Sequence, residues 1–137
     1  MEHLVVDSNI LIASFLESDS LHLDSQKYNA GLEDGSYNFH LPMLIIAEII
    51  SSMSRRAAAN RLALLARTSQ SLKQWEQSGK ISLYPLDRNR LELSVRIAQR
   101  DRLRGADSVI AALAEELEMP LKTFDKEILE RFPTASE

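Results

Sequence analysis

Four acidic residues stand against apolar segments, where a folding core normally excludes charge: Asp7, Glu48, Asp107 and Asp125. Asp7 follows Leu4-Val5-Val6, and Glu48 follows Leu44-Ile45-Ile46-Ala47. Asp107 precedes Val109-Ile110-Ala111-Ala112-Leu113, and Asp125 follows Leu121 to Phe124. One acid at a strand end is ordinary. Four, spread over the chain and each beside core sequence, indicate that the fold gathers them. Gathered carboxylates repel: two unit charges about 4 Å apart cost roughly 4 kcal/mol at an effective dielectric near 20. A protein tolerates that when a divalent cation neutralises the group, or when one carboxyl keeps its proton. The four acids are therefore candidates for metal-assisted chemistry.

The sequence between them alternates short apolar runs with helical patterns. Strands are expected at His3–Val6, Tyr37–Leu41, Ile81–Tyr84 and Leu121–Thr123. Helices are expected at Ile10–Glu17, capped by Ser8 or Asn9, and at Leu21–Glu33, Met43–Met53 and Arg55–Gln77. In the last of these, Leu62, Leu65, Leu72 and Trp75 suit one buried face. Further helices follow Asp87 to about Arg102, then Ala106–Glu118 and Lys126–Glu130, with Gly79 and Gly105 read as breaks. Asp107 would sit in the first turn of its helix, where the macrodipole favours an acid. Asp125 could also cap the last helix. Strands alternating with helices predict an α/β domain of three layers, α/β/α, around a short, mainly parallel sheet. Ligands of such folds bind beyond the carboxyl ends of the strands. Asp7 and Asp125 both fall there.

The chain has 137 residues, enough for one domain, expected to span 1–137. The absence of cysteine excludes a disulfide framework, a thiol nucleophile and a thiolate metal site. No apolar run approaches the ~20 residues that a bilayer requires, and no signal peptide is apparent. A soluble, cytoplasmic protein with no membrane association is the expectation.

Net charge is −4, but it is unevenly placed: residues 49–106 carry +8 and the remainder −12. A basic middle could hold a polyanion against a metal centre. It could equally be a set of solvated helix faces. Carboxylate-rich sites without cysteine or a matched histidine pair suit Mg²⁺, bound by one or two carboxylates with waters and substrate phosphates; Mn²⁺ can replace it. Such ions activate water and orient a phosphodiester, so phosphodiester hydrolysis is the natural reaction class. There is no His-Glu-x-x-His helix, and His3, His22 and His40 are read as structural rather than as ligands. Walker loops, dinucleotide glycine motifs and nucleophile elbows are absent. Asp7-Ser8-Asn9 lacks the second aspartate of aspartyl-phosphate phosphatases.

At this point the residues resemble a known family. Leu4-Val5-Val6-Asp7-Ser8-Asn9-Ile10-Leu11-Ile12 is similar to the opening of a PIN domain, and so is Glu48 in its apolar helix. Arg104-Gly105-Ala106-Asp107-Ser108 to Ala114 resembles the segment of the third acid, and Leu121 to Glu127 the final strand and fourth acid. A stand-alone domain of this size is most similar to VapC-type toxins of toxin–antitoxin pairs. The resemblance implies a Mg²⁺- or Mn²⁺-dependent endoribonuclease in which Asp7, Glu48, Asp107 and Asp125 hold the metal, directly or through waters. It implies supporting roles for Asn9 and Thr123. Ser8 stands where threonine is frequent in the family and Ser108 where alanine is. RNA would be the substrate, a small antitoxin the partner, and a homodimer the assembly. Arg55, Arg56, Arg61, Arg102 and Arg104 flank the acidic segments and are candidates for RNA phosphate contact. Other readings are a PIN nuclease of RNA processing and a PIN-like module that binds RNA or protein without cutting. Four mutually repelling acids argue against the last.

Overall fold

Short runs rich in β-branched and aromatic residues pair side by side at the centre of the protein. The computed structural model describes residues 1–56 and 59–137. Strands β1 (Glu2–Val6), β2 (Tyr37–Pro42), β3 (Ile81–Tyr84), β4 (Leu121–Lys122) and β5 (Ala135–Ser136) form one sheet in the order β3-β2-β1-β4-β5. Every pairing among them is parallel, so the sheet is wholly rather than mainly parallel. β5 was not expected. Its two residues carry no apolar run, and it joins the sheet through backbone bonding such as Thr123 N–H to Ser136 C=O at 3.0 Å.

The helices are α1 (Ser8–Phe15), α2 (His22–Asp34), α3 (Leu44–Arg56), α4 (Arg61–Gln77), α5 (Arg88–Asp101), α6 (Gly105–Leu117) and α7 (Lys126–Arg131). The chain steps from β1 to β2 to β3, then crosses back past β1 to reach β4. Right-handed crossovers put helices of the two directions on opposite faces. Accordingly α1 contacts α2 and α3, α3 contacts α4, and α5 packs with α6, which lies on β1, β2 and β4. Both faces are thus covered. Val5, Val6, Phe39, Leu41 and Leu121 are fully enclosed between the layers.

Several element ends differ from expectation for identifiable reasons. Asp7, not Ser8 or Asn9, is the N-cap of α1. The boundary expected at Ser54, between a helix ending at Met53 and one starting at Arg55, lies later: α3 runs on to Arg56 and α4 starts at Arg61, after Asn60 in the left-handed region at φ 55°. Residues 57–58 lie outside the described residues. Gly105 opens α6 instead of breaking the chain. The break falls at Arg102, with φ 54°, which turns Leu103 into the core. On α4 the buried face runs through Thr68, Leu72 and Trp75. Leu62 points to solvent with 76% exposure. Gly31 is required for packing: a Cβ there would lie 2.1 Å from the Tyr37 ring.

Candidate active site

In this topology the chain's direction of travel reverses at β1, so the crevice beyond β1 and β4 is the switch point. Asp7 leaves β1 and Thr123-Phe124-Asp125 leaves β4 at this same end. Asp7 is buried although it is an acid, with 7% exposure. Its Oδ1 accepts the Ser8 N–H at 2.8 Å, and its Oδ2 accepts the Thr123 hydroxyl at 2.7 Å. The Thr123 oxygen in turn accepts the Asp125 N–H at 3.0 Å and the Asn9 amide at 3.4 Å. Asn9 Oδ1 accepts the Phe124 N–H at 3.3 Å. Thr123 and Asn9, both expected only to support the site, thus stitch the ends of β1 and β4 together.

Asp125 caps α7: its Oδ1 accepts the N–H groups of Glu127 at 2.8 Å and Ile128 at 3.1 Å. Its Oδ2 instead accepts from Arg104 Nη2 at 3.3 Å. Asp107, in the first turn of α6, accepts Arg104 Nε at 3.2 Å. Glu48 reaches the same region from the middle of α3 and is half-buried.

Electrostatics tie the four together. Burial is the main cause that pushes the Asp7 carboxyl up to about 6; the charges of Asp107 and Asp125 add to it, against hydrogen bonds from Thr123 and Ser8. Glu48 is raised by burial and by the charges of Asp7 and Asp107. Asp107 is raised by burial and by Asp125 and Glu127, although the Arg104 charge opposes. Each of these three thus feels at least two other acids, as expected for one gathered group. Glu127 is a fifth member to which the sequence reading gave no role. Its signal was present in Asp125-Lys126-Glu127, because the first turn of α7 brings both acids to one end.

Among the described residues, no three Asp, Glu, His or Cys side chains stand grouped for an ion as they are. The donor set nevertheless fits a hard cation, being carboxylate oxygen throughout. Mg²⁺ needs only one or two direct carboxylates, with waters completing its shell. Asp7, Glu48, Asp107 and Asp125 are the residues that could hold it. A groove of about 460 Å³ leads away from Glu48 between α1 and α3, lined by Ser8, Ile12, Ala47, Ser51, Ser52 and Arg55. The larger cavity, about 560 Å³, lies at the other end of the sheet beside Pro120 and Phe132 and is remote from the acids.

The arginines divide. Arg55 lines the groove, and Arg104 stands on the acids. Arg56 pairs with Asp19 at 2.6 Å, while the exposed Arg61 and Arg102 contact none of the site residues through a hydrogen bond. Much of the basic middle segment is spent on the acidic remainder: Lys80 pairs with Glu33, Arg90 with Glu116 and Arg100 with Glu115. His3 Nδ1 and His40 Nε2 share a hydrogen bond at 2.9 Å across β1 and β2. His40 also bonds Tyr84 at 2.7 Å, and His22 bonds the Ala13 carbonyl at 2.7 Å. All three histidines therefore make internal contacts away from the acids.

Fold and site together define a doubly wound α/β domain with an acidic centre at its switch point. The PIN domain family matches residues 4–133. The chain belongs to the PIN domain family. Comparison with curated protein sequences returns no match. Solved structures share the fold at low sequence identity. A toxin–antitoxin complex from Klebsiella pneumoniae superposes with TM-score 0.71 at 18% identity, covering 98% of this chain and 96% of that one. VapC20 of Mycobacterium tuberculosis, a toxin that cleaves the sarcin–ricin loop, gives 0.71 at 13% identity, with 98% and 99% covered. FitAcB from Neisseria gonorrhoeae gives 0.64 at 16% identity, with 96% and 94% covered. No described helix is long and apolar enough to cross a membrane.

Proposed function

We propose that this protein is a Mg²⁺-dependent endoribonuclease, able to use Mn²⁺, and that it is the toxin of a toxin–antitoxin pair. One observation carries the reading: Asp7, Glu48, Asp107 and Asp125, from four separate segments, share one electrostatic neighbourhood at the switch point. Membership of the PIN domain family supports it. So do structural neighbours described as toxins and toxin–antitoxin complexes. The acting unit is one domain over residues 1–137, with RNA as substrate, a small antitoxin as partner, a homodimer as assembly and the cytoplasm as its place of action.

The four acids are the proposed metal ligands and the proposed catalytic group. A bound divalent ion would neutralise them, offset charge on the phosphodiester and lower the pKa of water. The chain's own residues prepare this. Thr123 and Ser8 hold both oxygens of Asp7, which fixes the carboxylate's direction. Asn9 and Thr123 hold the backbone that carries Asp125. Arg55, beside Glu48 in the groove, is the proposed contact for the RNA backbone.

The test has two parts. Mn²⁺ titration calorimetry is expected to show saturable binding to the wild type that is lost in Asp7→Asn and Asp107→Asn. Incubation with total cellular RNA, with new ends mapped by sequencing, is expected to show discrete cleavages absent from both variants. Binding and cleavage that survive in the variants would sink the assignment. Retained RNA binding with neither metal binding nor cleavage would favour the non-catalytic module instead.

A further inference from the structure

The acids are not treated alike by their surroundings. Asp107 and Asp125 share a cation, because the Arg104 guanidinium reaches Asp107 Oδ2 at 3.2 Å and Asp125 Oδ2 at 3.3 Å. It also lies 3.9 Å from Glu127 Oε2. Asp7 accepts only from neutral groups, Ser8 N–H and the Thr123 hydroxyl. Arg104 therefore offsets part of the charge of Asp107 and Asp125 and makes no such contact with Asp7 or Glu48.

Three features mark this cation as removable. Its side chain is 68% exposed, so little packing holds it. Each contact uses a single nitrogen–oxygen pair rather than the bidentate fork that makes arginine–carboxylate pairs strong. The oxygen it takes from Asp125 is the free one, since Oδ1 is committed to the α7 N–H groups. Arg104 also sits at the N-cap of α6, before its first turn. A rotation of its side chain can then release the acids without moving the backbone.

We propose that Arg104 is an exchangeable counter-ion. In the metal-free protein it occupies the Asp107–Asp125 carboxylates, and an entering divalent cation must displace it. Arg104 is thus a positioning residue: it keeps two repelling acids together before the ion arrives and competes with the ion for them. This rests on the four acids being a metal centre, as proposed above.

Two measurements test it, on the full chain. The first is Mn²⁺ calorimetry on wild type, Arg104→Ala and Arg104→Gln. Both variants are expected to bind Mn²⁺ roughly two- to fivefold more tightly, the range that loss of an exposed ion-pair competitor allows. Equal or weaker binding overturns the proposal while leaving the metal centre standing. The second follows the Arg104 contact directly: the Arg104 Nε–H resonance of ¹⁵N-labelled wild type is observed during Mg²⁺ addition. It is expected to shift along the saturation curve of a Mg²⁺ calorimetric titration of the same protein. An unmoved resonance with clear calorimetric binding overturns exchange specifically. Absence of binding in wild type and variants alike overturns the metal centre, and the counter-ion role with it.

Discussion

Thr123 donates its hydroxyl to Asp7 Oδ2 at 2.7 Å, across 116 residues of sequence. Both groups are buried. A buried carboxylate without donors is costly, so this bond is part of what lets Asp7 sit where it does.

Thr123→Val keeps the shape and removes the donor. The Asp7 carboxylate and the Asp125 N–H each lose a partner. The metal-free variant is expected to be about 1–3 kcal/mol less stable at pH 7.5 by urea unfolding. A smaller deficit at pH 5 is expected too, where Asp7 holds its proton. A variant as stable as the wild type at both pH values would show that the bond carries no weight.

Asp7 should impose a pH dependence of its own. Its carboxyl is raised by burial from 3.8 to about 6. Between those values the folded state keeps the proton and the unfolded state has lost it. Stability contributed by this group is therefore full below pH 3.8 and declines as pH rises to about 6. The decline amounts to roughly 3 kcal/mol. Acids held low by partners, such as Asp19 and Asp34, act in the opposite sense. The comparison must therefore be wild type minus Asp7→Asn, in EDTA. Their difference in unfolding free energy should shift in favour of the variant as pH rises through that window.

Metal should reverse this penalty. With Mn²⁺ at 100-fold over its dissociation constant, the folded state gains about 2.7 kcal/mol. The melting temperature at pH 7.5 should rise relative to EDTA, and rise less at pH 5.5, where protons compete for the carboxylates. Identical melting curves with EDTA and with excess Mn²⁺ would count against the centre.

Two of the leucines of α4 that the periodicity placed on one face, Leu72 and Leu62, should behave differently. Leu72→Ala empties buried space and should cost about 2–5 kcal/mol. Leu62→Ala alters an exposed side chain and should stay within about 0.5 kcal/mol. Chemical denaturation of the two variants checks this directly.

Much of this molecule was written in local pattern. β3 appears with its expected ends, and most other elements within two residues, the end of α3 and the start of α4 excepted, because apolar runs and caps such as Asp87 are short-range signals. The four acids were visible because each interrupts core sequence. Local pattern failed where a partner decides the outcome. β5 exists because β4 offers it an edge. Leu62 faces solvent because it lies in the first turn of α4, before the buried stretch of Thr68, Leu72 and Trp75 begins. The basic segment looked like a surface for a polyanion, yet Arg90, Arg100 and Arg104 are turned onto acids of distant segments.

The order of strands and helices, the identity of the acids and their places at element ends are local matters, determined by the sequence alone. Hydrophobic periodicity and capping act over a few residues. What only the tertiary structure decided is which groups meet: Thr123 with Asp7, Asn9 with Phe124, and Arg104 with Asp107 and Asp125 together. Those contacts depend on the reversal of the chain at β1, which brings β4 alongside it. Charge and hydrogen bonding act through space at a few ångströms, and sequence separation does not enter into their energy.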